Sequence, residues 1–426
     1  MRILYDLVFV IFGIIYLPYL IVTGRYRYGM ADKLGILPKG LRFICSNNRI
    51  IWIHAVSAGE MKAAGILAPL LRKNFPSHTL VFSSVTQAGN KIARTIAKDK
   101  EGIFYFPLDL SFIVNKVVRI IKPDMFLCLE AELWPNLITS LHKANTKIIL
   151  VNGKISDKSF AGYSKIRFVI SRILGKFSLC LMQTEKDSEK ILALGAPKDK
   201  IFVPGNLKFD IPPLNAGDKR REVRGRLNLR EKDIFLVAGS TSRGEEEMVT
   251  DCFSRLKKDY NDLRLLIAPR HIERVKEVEG LLLKARFKSM RYSQINTSDE
   301  RRATSDNIFI LDTMGELKTI YTASDIVFVG GSLVKKRGGQ NPIEPASLSR
   351  PVIFGKFMAN YRDVARSFVE NNAARQVSNK DELCAAIKLL LDKPGERKNM
   401  GMNAKTYVDK NSGSSQRTLD LILSLA

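Results

Sequence analysis

The chain has 426 residues, and its 68 lysines and arginines against 43 aspartates and glutamates give a formal net charge of +25. The length predicts about two or three domains, and the 45% apolar fraction excludes a wholly disordered chain. The charge predicts a polyanionic partner: nucleic acid, anionic lipid or a phosphorylated substrate. The five cysteines are scattered without a Cys-x-x-Cys pair. This pattern excludes a disulfide framework and favours a reduced compartment.

The N-terminus is strongly apolar. Residues Ile3 to Val22 are apolar except for Asp6 and Pro18, and they reach the ~20 residues that a bilayer core requires. More basic residues follow this run than precede it, so the positive-inside rule places the rest of the chain in the cytoplasm. We therefore predict a membrane anchor over residues 1–24. A half-buried or interfacial helix is the alternative, because Asp6 and Pro18 weaken the span.

From Arg49 onward, apolar runs alternate with amphipathic segments, which predicts parallel sheets covered by helices on both faces. The predicted strands of the first half are Ile50–His54, Thr79–Ser84, Gly102–Phe106, Met125–Leu129, Lys147–Val151, Leu179–Gln183 and Ile201–Val203. Predicted helices between them are Glu60–Lys73, Ala88–Lys98, Phe112–Ile121, Pro135–Lys143 and Glu185–Leu194.

The polar, proline-bearing stretch Asp210–Arg226 breaks this alternation, and we predict a linker near residue 215. The second half then restarts the pattern. Its predicted strands are Ile234–Gly239, Leu263–Ala268, Asn307–Leu311, Ile326–Gly330 and Pro351–Phe354, and its predicted helices are Glu245–Tyr260, Ile272–Ala285, Met314–Ala323 and Asp381–Leu391. Residues 401–426 predict a C-terminal helix that packs back on one of the halves. Two facing halves of this kind place a ligand in the cleft between them.

A carboxylate opens the helix that follows the first predicted strand. Ile50–His54 runs into the small-residue turn Ser57-Ala58-Gly59, and Glu60 comes next. The helix dipole alone favours a carboxylate at this place. The functional alternative is a general base that takes a proton from an acceptor hydroxyl. The spacing leaves both interpretations open.

Charged residues also follow two later strands. Glu130 and Glu132 follow the apolar strand Met125–Leu129, and their period-two spacing predicts that both side chains point the same way at the cleft-facing edge. Salt bridges to the basic surface are the alternative for these two carboxylates. Lys208 follows the last strand of the first half, beside the predicted linker, where a transferring group would sit.

Several loops of the second half together predict a nucleotide pocket. Gly315 and the pair Gly338–Gly339 supply flexible loops whose N–H groups can meet a phosphate, and Arg270 offers a bidentate fork for it. Glu316 and Glu344 suit ribose hydroxyls. The sequence has no Walker A motif and no Gly-x-Gly-x-x-Gly at the first strand, which argues against an ATPase or a dehydrogenase. It also lacks an Asp-x-Asp tripeptide, so we expect no metal or other cofactor.

In order and spacing, these segments resemble the 3-deoxy-D-manno-octulosonic acid (Kdo) transferases of Gram-negative bacteria. The strings Glu132-Leu-Trp-Pro-Asn136 and Gly338-Gly-Gln-Asn-Pro-Ile-Glu344 carry the resemblance, which covers essentially the whole chain. It implies the α/β GT-B glycosyltransferase fold, in which two Rossmann-like doubly wound halves face a cleft. On this basis 25–214 is an acceptor domain and 215–400 a nucleotide-sugar domain.

The resemblance also implies an activity: transfer of Kdo from CMP-Kdo to a lipid A precursor in lipopolysaccharide biosynthesis, at the cytoplasmic face of the inner membrane. We expect this transfer to be inverting. Glu60 would be the general base, and Glu130 and Lys208 would support the transition state. The implied CMP-binding residues are Pro269, Arg270, Met314, Gly315, Glu316, Asn341, Pro342, Ile343 and Glu344.

Two clusters of basic residues are not among the implied catalytic or CMP-binding residues. Lys335, Lys336 and Arg337 make their loop more basic than the family pattern. The second cluster predicts contact with anionic inner-membrane lipids and lipid phosphates. Its members are Lys154, Lys158, Lys165, Arg167, Arg172 and Lys176.

Other functions fit parts of the sequence. A lipid-directed GT-B transferase that uses a UDP-sugar would share most of these features. A non-catalytic polyanion-binding protein at the membrane would explain the charge, but it leaves the acidic loop residues unexplained. Nucleic-acid binding is weaker still, because the sequence shows no recognition motif or aromatic stacking platform.

Overall fold

The computed structural model describes residues 5–11, 28–212, 214–295, 307–335 and 337–425. The chain forms two compact units. Unit 1 comprises Met1–Asp210 and Ser412–Ala426, and unit 2 comprises Ile211–Asn411. The chain therefore passes from one unit to the other after residues 210 and 411, whereas the sequence predicts these domain boundaries after residues 214 and 400.

Unit 1 holds a seven-stranded parallel sheet with the order β3-β2-β1-β4-β5-β6-β7. Its strands are β1 Arg49–His54, β2 His78–Ser84, β3 Gly102–Tyr105, β4 Met125–Leu129, β5 Lys147–Gly153, β6 Leu179–Met182 and β7 Ile201–Phe202. Its helices are α1 Met30–Lys33, α2 Lys39–Asn47, α3 Ala58–Asn74, α4 Gln87–Ile96, α5 Ser111–Ile121, α6 Pro135–Lys143, α7 Asp157–Lys165, α8 Arg167–Leu174 and α9 Glu185–Ala193. The C-terminal helix Ser414–Leu423 also belongs to this unit.

The sheet of unit 1 is buried on both faces, as its continuous apolar strands predict. Ile50 and Trp52 enter one hydrophobic cluster, while their neighbours Ile51 and Ile53 enter another. This alternation follows from the two-residue repeat of a strand.

Unit 2 repeats the architecture with the order β10-β11-β9-β8-β12-β13-β14, again parallel throughout. Its strands are β8 Ile234–Thr241, β9 Leu263–Pro269, β10 Lys288–Arg291, β11 Asn307–Ile310, β12 Ile326–Val329, β13 Val352–Gly355 and β14 Ala374–Val377. Its helices are α10 Ala216–Arg226, α11 Glu245–Leu256, α12 Val275–Lys284, α13 Leu317–Ala323, α14 Ile343–Ser347, α15 Arg362–Glu370, α16 Lys380–Asp392 and α17 Pro394–Asn411. The chain ends with α18 Ser414–Leu423, in unit 1.

The linker predicted near residue 215 lies close to the passage between the units, but the stretch Asp210–Arg226 is not irregular throughout. It contains α10, which is fixed to unit 2 because Arg220 and Arg224 both pair with Asp325, at 3.0 and 3.3 Å. One prediction about chain organisation is wrong. The predicted C-terminal helix is two helices, α17 and α18, separated at Gly413, whose φ of +80° ends helical geometry.

The predicted anchor over residues 1–24 falls largely outside the described residues. Residues 5–11 of it form a helical segment. Asp6 in this segment accepts hydrogen bonds from the Ser111 hydroxyl at 2.5 Å and from the Asn136 side-chain amide at 2.7 Å. Within the described ranges, we find no helix whose length and apolar character would suffice to cross a bilayer.

Candidate functional site

The strand order of unit 1 reverses between β1 and β4, and open α/β sheets bind ligands outside the carboxyl ends of strands at such a reversal. Glu60 and Glu130 follow these two strands. Unit 1 therefore brings the predicted general base and one predicted transition-state residue to the place where this topology puts a site.

Glu60 lies in the first turn of α3, held by its own helix cap. Ser57 caps the helix by accepting from the Glu60 N–H at 3.3 Å. The carboxylate accepts in return from the Ser57 hydroxyl at 2.6 Å and from the Val56 N–H at 2.7 Å. Burial raises the pKa of the Glu60 carboxyl, and the nearby charge of Glu130 raises it further, while these hydrogen bonds oppose the shift. Glu60 can therefore take part in the cap of α3 and still accept a proton, because the raised pKa makes its carboxylate a stronger base.

Glu130 and Lys208 meet in the structure. The Lys208 Nζ lies 3.5 Å from the Glu130 Oε1, and both side chains are about three-quarters buried. Glu130 has a φ of +57°, an unusual left-handed conformation for a residue other than glycine. Such strained conformations cluster at functional sites.

Glu132 is a third carboxylate near this pair. Burial raises the pKa of Glu132 to about 7, and the charges of Glu60 and Glu130 contribute in that order. The sequence prediction extrapolated an extended strand through these residues, and this is wrong, because β4 ends at Leu129 and Glu130 turns out of the strand. After this turn at Glu130, the Glu132 carboxyl lies within electrostatic reach of Glu60 and Glu130. Glu132 was noted in the sequence but was not assigned as a site residue.

The segment that carries Lys208 is fixed from both sides. The Asn152 Oδ1 accepts from the Leu207 N–H at 3.0 Å, and Asn206 caps the short 3₁₀ turn at Lys208. Asp210 accepts from the Gly413 N–H at 2.7 Å, at the start of α18. Asn152, which the sequence gave no reason to select, is thus a positioning residue for Lys208.

In unit 2 the strand order reverses between β8 and β12. The loop after β12 is shaped by Glu245, a buried carboxylate at the start of α11. Glu245 accepts from the N–H groups of Gly331 at 2.6 Å and of Ser332 and Leu333 at 2.8 Å each. These N–H groups are therefore engaged within the protein.

The predicted phosphate loop at Gly338–Gly339 is also fixed rather than flexible, which corrects the sequence prediction. The Gly339 N–H donates to the Gly331 carbonyl at 2.7 Å. The Asn360 side chain donates to the Gly339 and Arg337 carbonyls at 3.1 Å each. Gly315 differs, since its φ is +86° and open space surrounds the position of a Cβ.

The charges of two predicted nucleotide residues, Arg270 and Glu344, act on the Tyr361 phenol. Burial raises the pKa of this tyrosine to about 12, the Glu344 charge adds to the rise and the Arg270 charge opposes it. Arg270 is exposed directly after β9, whose last residue is the buried Pro269. The charges of Arg270 and Glu344 therefore both act on this phenol.

Asn341 organises the start of α14. Its side-chain amide donates to the Glu344 Oε1 at 3.1 Å, and its Oδ1 accepts from the Ile343 N–H at 3.0 Å. Pro342 is the residue before the helix. In this way the string Asn341-Pro-Ile-Glu344 presents one carboxylate in a fixed position, as a group that accepts from hydroxyls requires.

The loop after β11 carries the remaining predicted residues. Met314 is 82% exposed, and the Glu316 carboxylate accepts from the Thr313 hydroxyl. Glu316 directly precedes α13, whose Lys318 interacts with Glu344. None of the described residues form a group of three or more histidine, cysteine, aspartate or glutamate side chains suited to a metal ion.

Comparison with known proteins places the chain in a family. Residues 27–211 match the family described as 3-deoxy-D-manno-octulosonic-acid transferase (kdotransferase), and residues 219–407 match glycosyl transferases group 1. A 3-deoxy-D-manno-octulosonic acid transferase of Haemophilus influenzae is 34% identical over 94% of this chain and 92% of its own. The chain belongs to the 3-deoxy-D-manno-octulosonic acid transferase family. It is a glycosyltransferase.

Two further comparisons bear on this Kdo transferase family member. A bifunctional glycosyltransferase/methyltransferase of Fusobacterium nucleatum is 38% identical over 80% of the chain, which spans 52% of that relative. A glycosyltransferase structure from Rickettsia africae has a TM-score of 0.54 at 15% identity, covering 88% of this chain and 98% of the other. This similarity shows the fold alone. The sequence prediction of two Rossmann-like halves and of the family is confirmed.

Proposed function

We propose that this glycosyltransferase moves Kdo from CMP-Kdo to a phosphorylated lipid A precursor. The family membership supports the donor and the acceptor. The observation on which the chemistry depends is the cluster of Glu60, Glu130 and Lys208 at the strand reversal of unit 1. A non-catalytic polyanion binder would have no use for a half-buried carboxylate with a raised pKa at that place.

In the proposed reaction, Glu60 accepts the proton of an acceptor hydroxyl. The hydroxyl oxygen then bonds to the anomeric carbon of Kdo, from the face opposite the leaving group, while the bond to the CMP phosphate oxygen breaks. The electron pair leaves with CMP, and the configuration inverts. Each carboxylate oxygen has two lone pairs, so Glu60 can keep its bonds to Ser57 and Val56 and still accept this proton.

Charged side chains then balance the reacting groups. We propose that Lys208, beside Glu130, stabilises the developing negative charge and that Arg270 binds the CMP phosphate. Glu316 and Glu344 accept from the ribose hydroxyls. No metal is required in this scheme, which agrees with a sequence that has no Asp-x-Asp tripeptide.

We further propose that the enzyme works at the cytoplasmic face of the inner membrane. The helical segment 5–11 is docked on unit 1 through Asp6 and leaves Leu7 and Val8 more than half exposed. Phe112, next to the Asp6 partner Ser111, is 68% exposed. Exposed apolar side chains of this kind, together with a charge of +25, suit a surface of anionic lipid.

The decisive experiment is incubation of the purified full chain with CMP-Kdo and a lipid A precursor, with the products resolved by mass. The expected product is heavier than the acceptor by one or more Kdo residues, and an unchanged acceptor would refute the proposal. A parallel thermal-unfolding series compares CMP with UDP. Protection by CMP is expected, and protection by UDP alone would instead indicate a UDP-sugar transferase.

A further inference from the structure

Unit 2 contains a cavity of about 450 Å³ at the carboxyl edge of its sheet. Its polar lining comes from three neighbouring strands: Arg337 from the loop after β12, Lys356 directly after β13, and Gln376 on β14. Asn360 and Arg362, the first residue of α15, complete it. Gly338, from the predicted phosphate loop, also lines this cavity, whereas the implied CMP-binding residues, among them Arg270, Glu316 and Glu344, do not.

The charge of this cavity is unbalanced. Arg337, Lys356 and Arg362 line it, and within the described ranges none of these cations forms an ion pair, nor does a carboxylate line the cavity. Asp363, beside it, lies 3.5 Å from Arg366. Some exposed cations elsewhere in unit 2 pair, such as Arg243 with Glu277 at 2.7 Å, while others, such as Lys284 and Arg375, form no ion pair with the described residues. What distinguishes this cavity is that three cations share one lining. The Lys356 Nζ lies 5.5 Å from the centroid of the Phe357 ring, a contact that does not balance its charge. Like charges gathered without a counter-charge repel one another, and a bound anion would relieve that repulsion.

The backbone around the cations is fixed. The Asn360 N–H donates to the Gly338 carbonyl at 2.8 Å, and its side chain holds the Arg337 carbonyl at 3.1 Å. Gly338 has a φ of +76°, and a Cβ there would lie 2.8 Å from the Asn360 side chain. The loop that carries Arg337 is thereby held against the segment that leads into Arg362. The first turn of α15 adds its positive dipole end, without a side-chain cap.

We propose that this pocket, formed by Arg337, Lys356 and Arg362, binds a phosphate-class dianion in addition to the phosphate of the nucleotide. Two arginine forks and a lysine ammonium match the oxygens of a phosphomonoester. The volume exceeds what a phosphate group needs and leaves room for an attached sugar. The source of the anion rests on the proposed function: it is a phosphate of the glycolipid acceptor, with free inorganic phosphate as the other source of the same chemistry.

The test compares two triple variants of the full chain. The pocket variant carries Arg337→Ala, Lys356→Ala and Arg362→Ala. The control variant removes three exposed charges of unit 2 outside the pocket through Lys284→Ala, Lys288→Ala and Arg375→Ala. Calorimetric titration with inorganic phosphate, at an ionic strength held constant with sodium chloride, gives the affinity, and titration with CMP reports on folding and on the nucleotide site.

We expect the pocket variant to lose about tenfold or more in phosphate affinity, because charge-assisted hydrogen bonds are lost. The control variant should bind phosphate like the wild type, and both should bind CMP normally. Unchanged phosphate binding by the pocket variant would overturn the proposal. So would competition between phosphate and CMP for a single site.

Kinetics with phosphorylated and dephosphorylated lipid A precursors separate the two sources. An acceptor phosphate in the pocket predicts a lower KM for the phosphorylated precursor, and the pocket variant should abolish this preference. If the preference persists while inorganic phosphate binding is lost, free phosphate is the ligand and the pocket assignment still holds. A chain that binds phosphate in the pocket but transfers no Kdo would refute the proposed function and leave the pocket in place.

Discussion

The substitution Glu60→Gln tests the proposed base without disturbing the fold around it. Glutamine can fill the same cap, because its carbonyl can accept from the Val56 N–H and its amide can donate to the Ser57 hydroxyl. We therefore expect the free energy of unfolding to change by less than about 1 kcal/mol. Catalysis should respond quite differently, because a neutral amide cannot take a proton.

Loss of a general base costs about 10²–10⁴-fold in rate, which corresponds to roughly 2.7–5.4 kcal/mol of activation free energy at 1.36 kcal/mol per factor of ten. The assay is the steady-state rate of Kdo transfer with both substrates saturating, together with urea unfolding of both proteins. Turnover within about threefold of the wild type, in a folded variant that binds CMP, would refute the role of Glu60, since such a loss lies far below that range.

Ser57→Ala is the matched control for this prediction. It removes the cap and one of the hydrogen bonds that lower the pKa of Glu60, but it keeps the carboxylate. We expect a loss of about 1 kcal/mol in stability with most of the turnover retained. The acid limb of the rate profile should move to higher pH, since the base now protonates more readily. In Glu60→Gln the acid limb that Glu60 causes should disappear.

Three further predictions test other parts of the two units. Lys208→Met should lower kcat by about tenfold or more, as loss of a charge-assisted contact to Glu130 and to the transition state implies, and Lys208→Arg should restore part of it. Glu245→Gln should lower the free energy of unfolding by about 2–4 kcal/mol in urea titrations, because one amide oxygen cannot replace a carboxylate that accepts several N–H groups. As a control, Glu247→Gln at an exposed position of the same helix should lower the free energy of unfolding by less than about 1 kcal/mol. Burial raises the pKa of Glu132 from 4.5 to about 7, so the folded state binds more protons than the unfolded state between these pH values, and the free energy of unfolding should fall by up to about 3 kcal/mol as pH rises through this window. Glu132→Gln should flatten this dependence of the free energy of unfolding on pH, and an unchanged dependence would contradict the assignment.

The sequence predicted the central strands well and missed both polar edge strands of unit 2. Met125–Leu129 was predicted with its observed ends, because a buried parallel strand is a continuous apolar run. Lys288–Arg291 and Ala374–Val377 lie at the two edges of their sheet and carry exposed polar side chains. An edge strand needs less apolar surface, so its pattern resembles that of a loop.

The pairing of Glu130 with Lys208 was beyond the sequence, although both residues were selected from it. They lie 78 positions apart, and Lys208 follows β7, which is separated from β4 by two strands. The contact depends on the turn after β7 running back towards β5, where Asn152 holds the Leu207 N–H. No local pattern encodes that path. It follows from hydrogen bonds between segments that meet only in the folded unit.

The glycine-rich loops of unit 2 show why composition alone misjudges an anion site. The sequence predicted phosphate-binding N–H groups at Gly315 and Gly338–Gly339, yet the Gly339 N–H donates to the Gly331 carbonyl. Glu245 in turn occupies the nearby N–H groups of Gly331, Ser332 and Leu333. A buried carboxylate is costly unless such bonds compensate it, so these N–H groups are not available to a ligand. Anion recognition in unit 2 is then left to the open Gly315 loop and to side chains, namely Arg270 and the cations that line the cavity beside α15. Removing Arg270 should consequently weaken CMP binding more than any glycine-to-alanine change in the Gly330–Gly331 turn that leaves the fold intact.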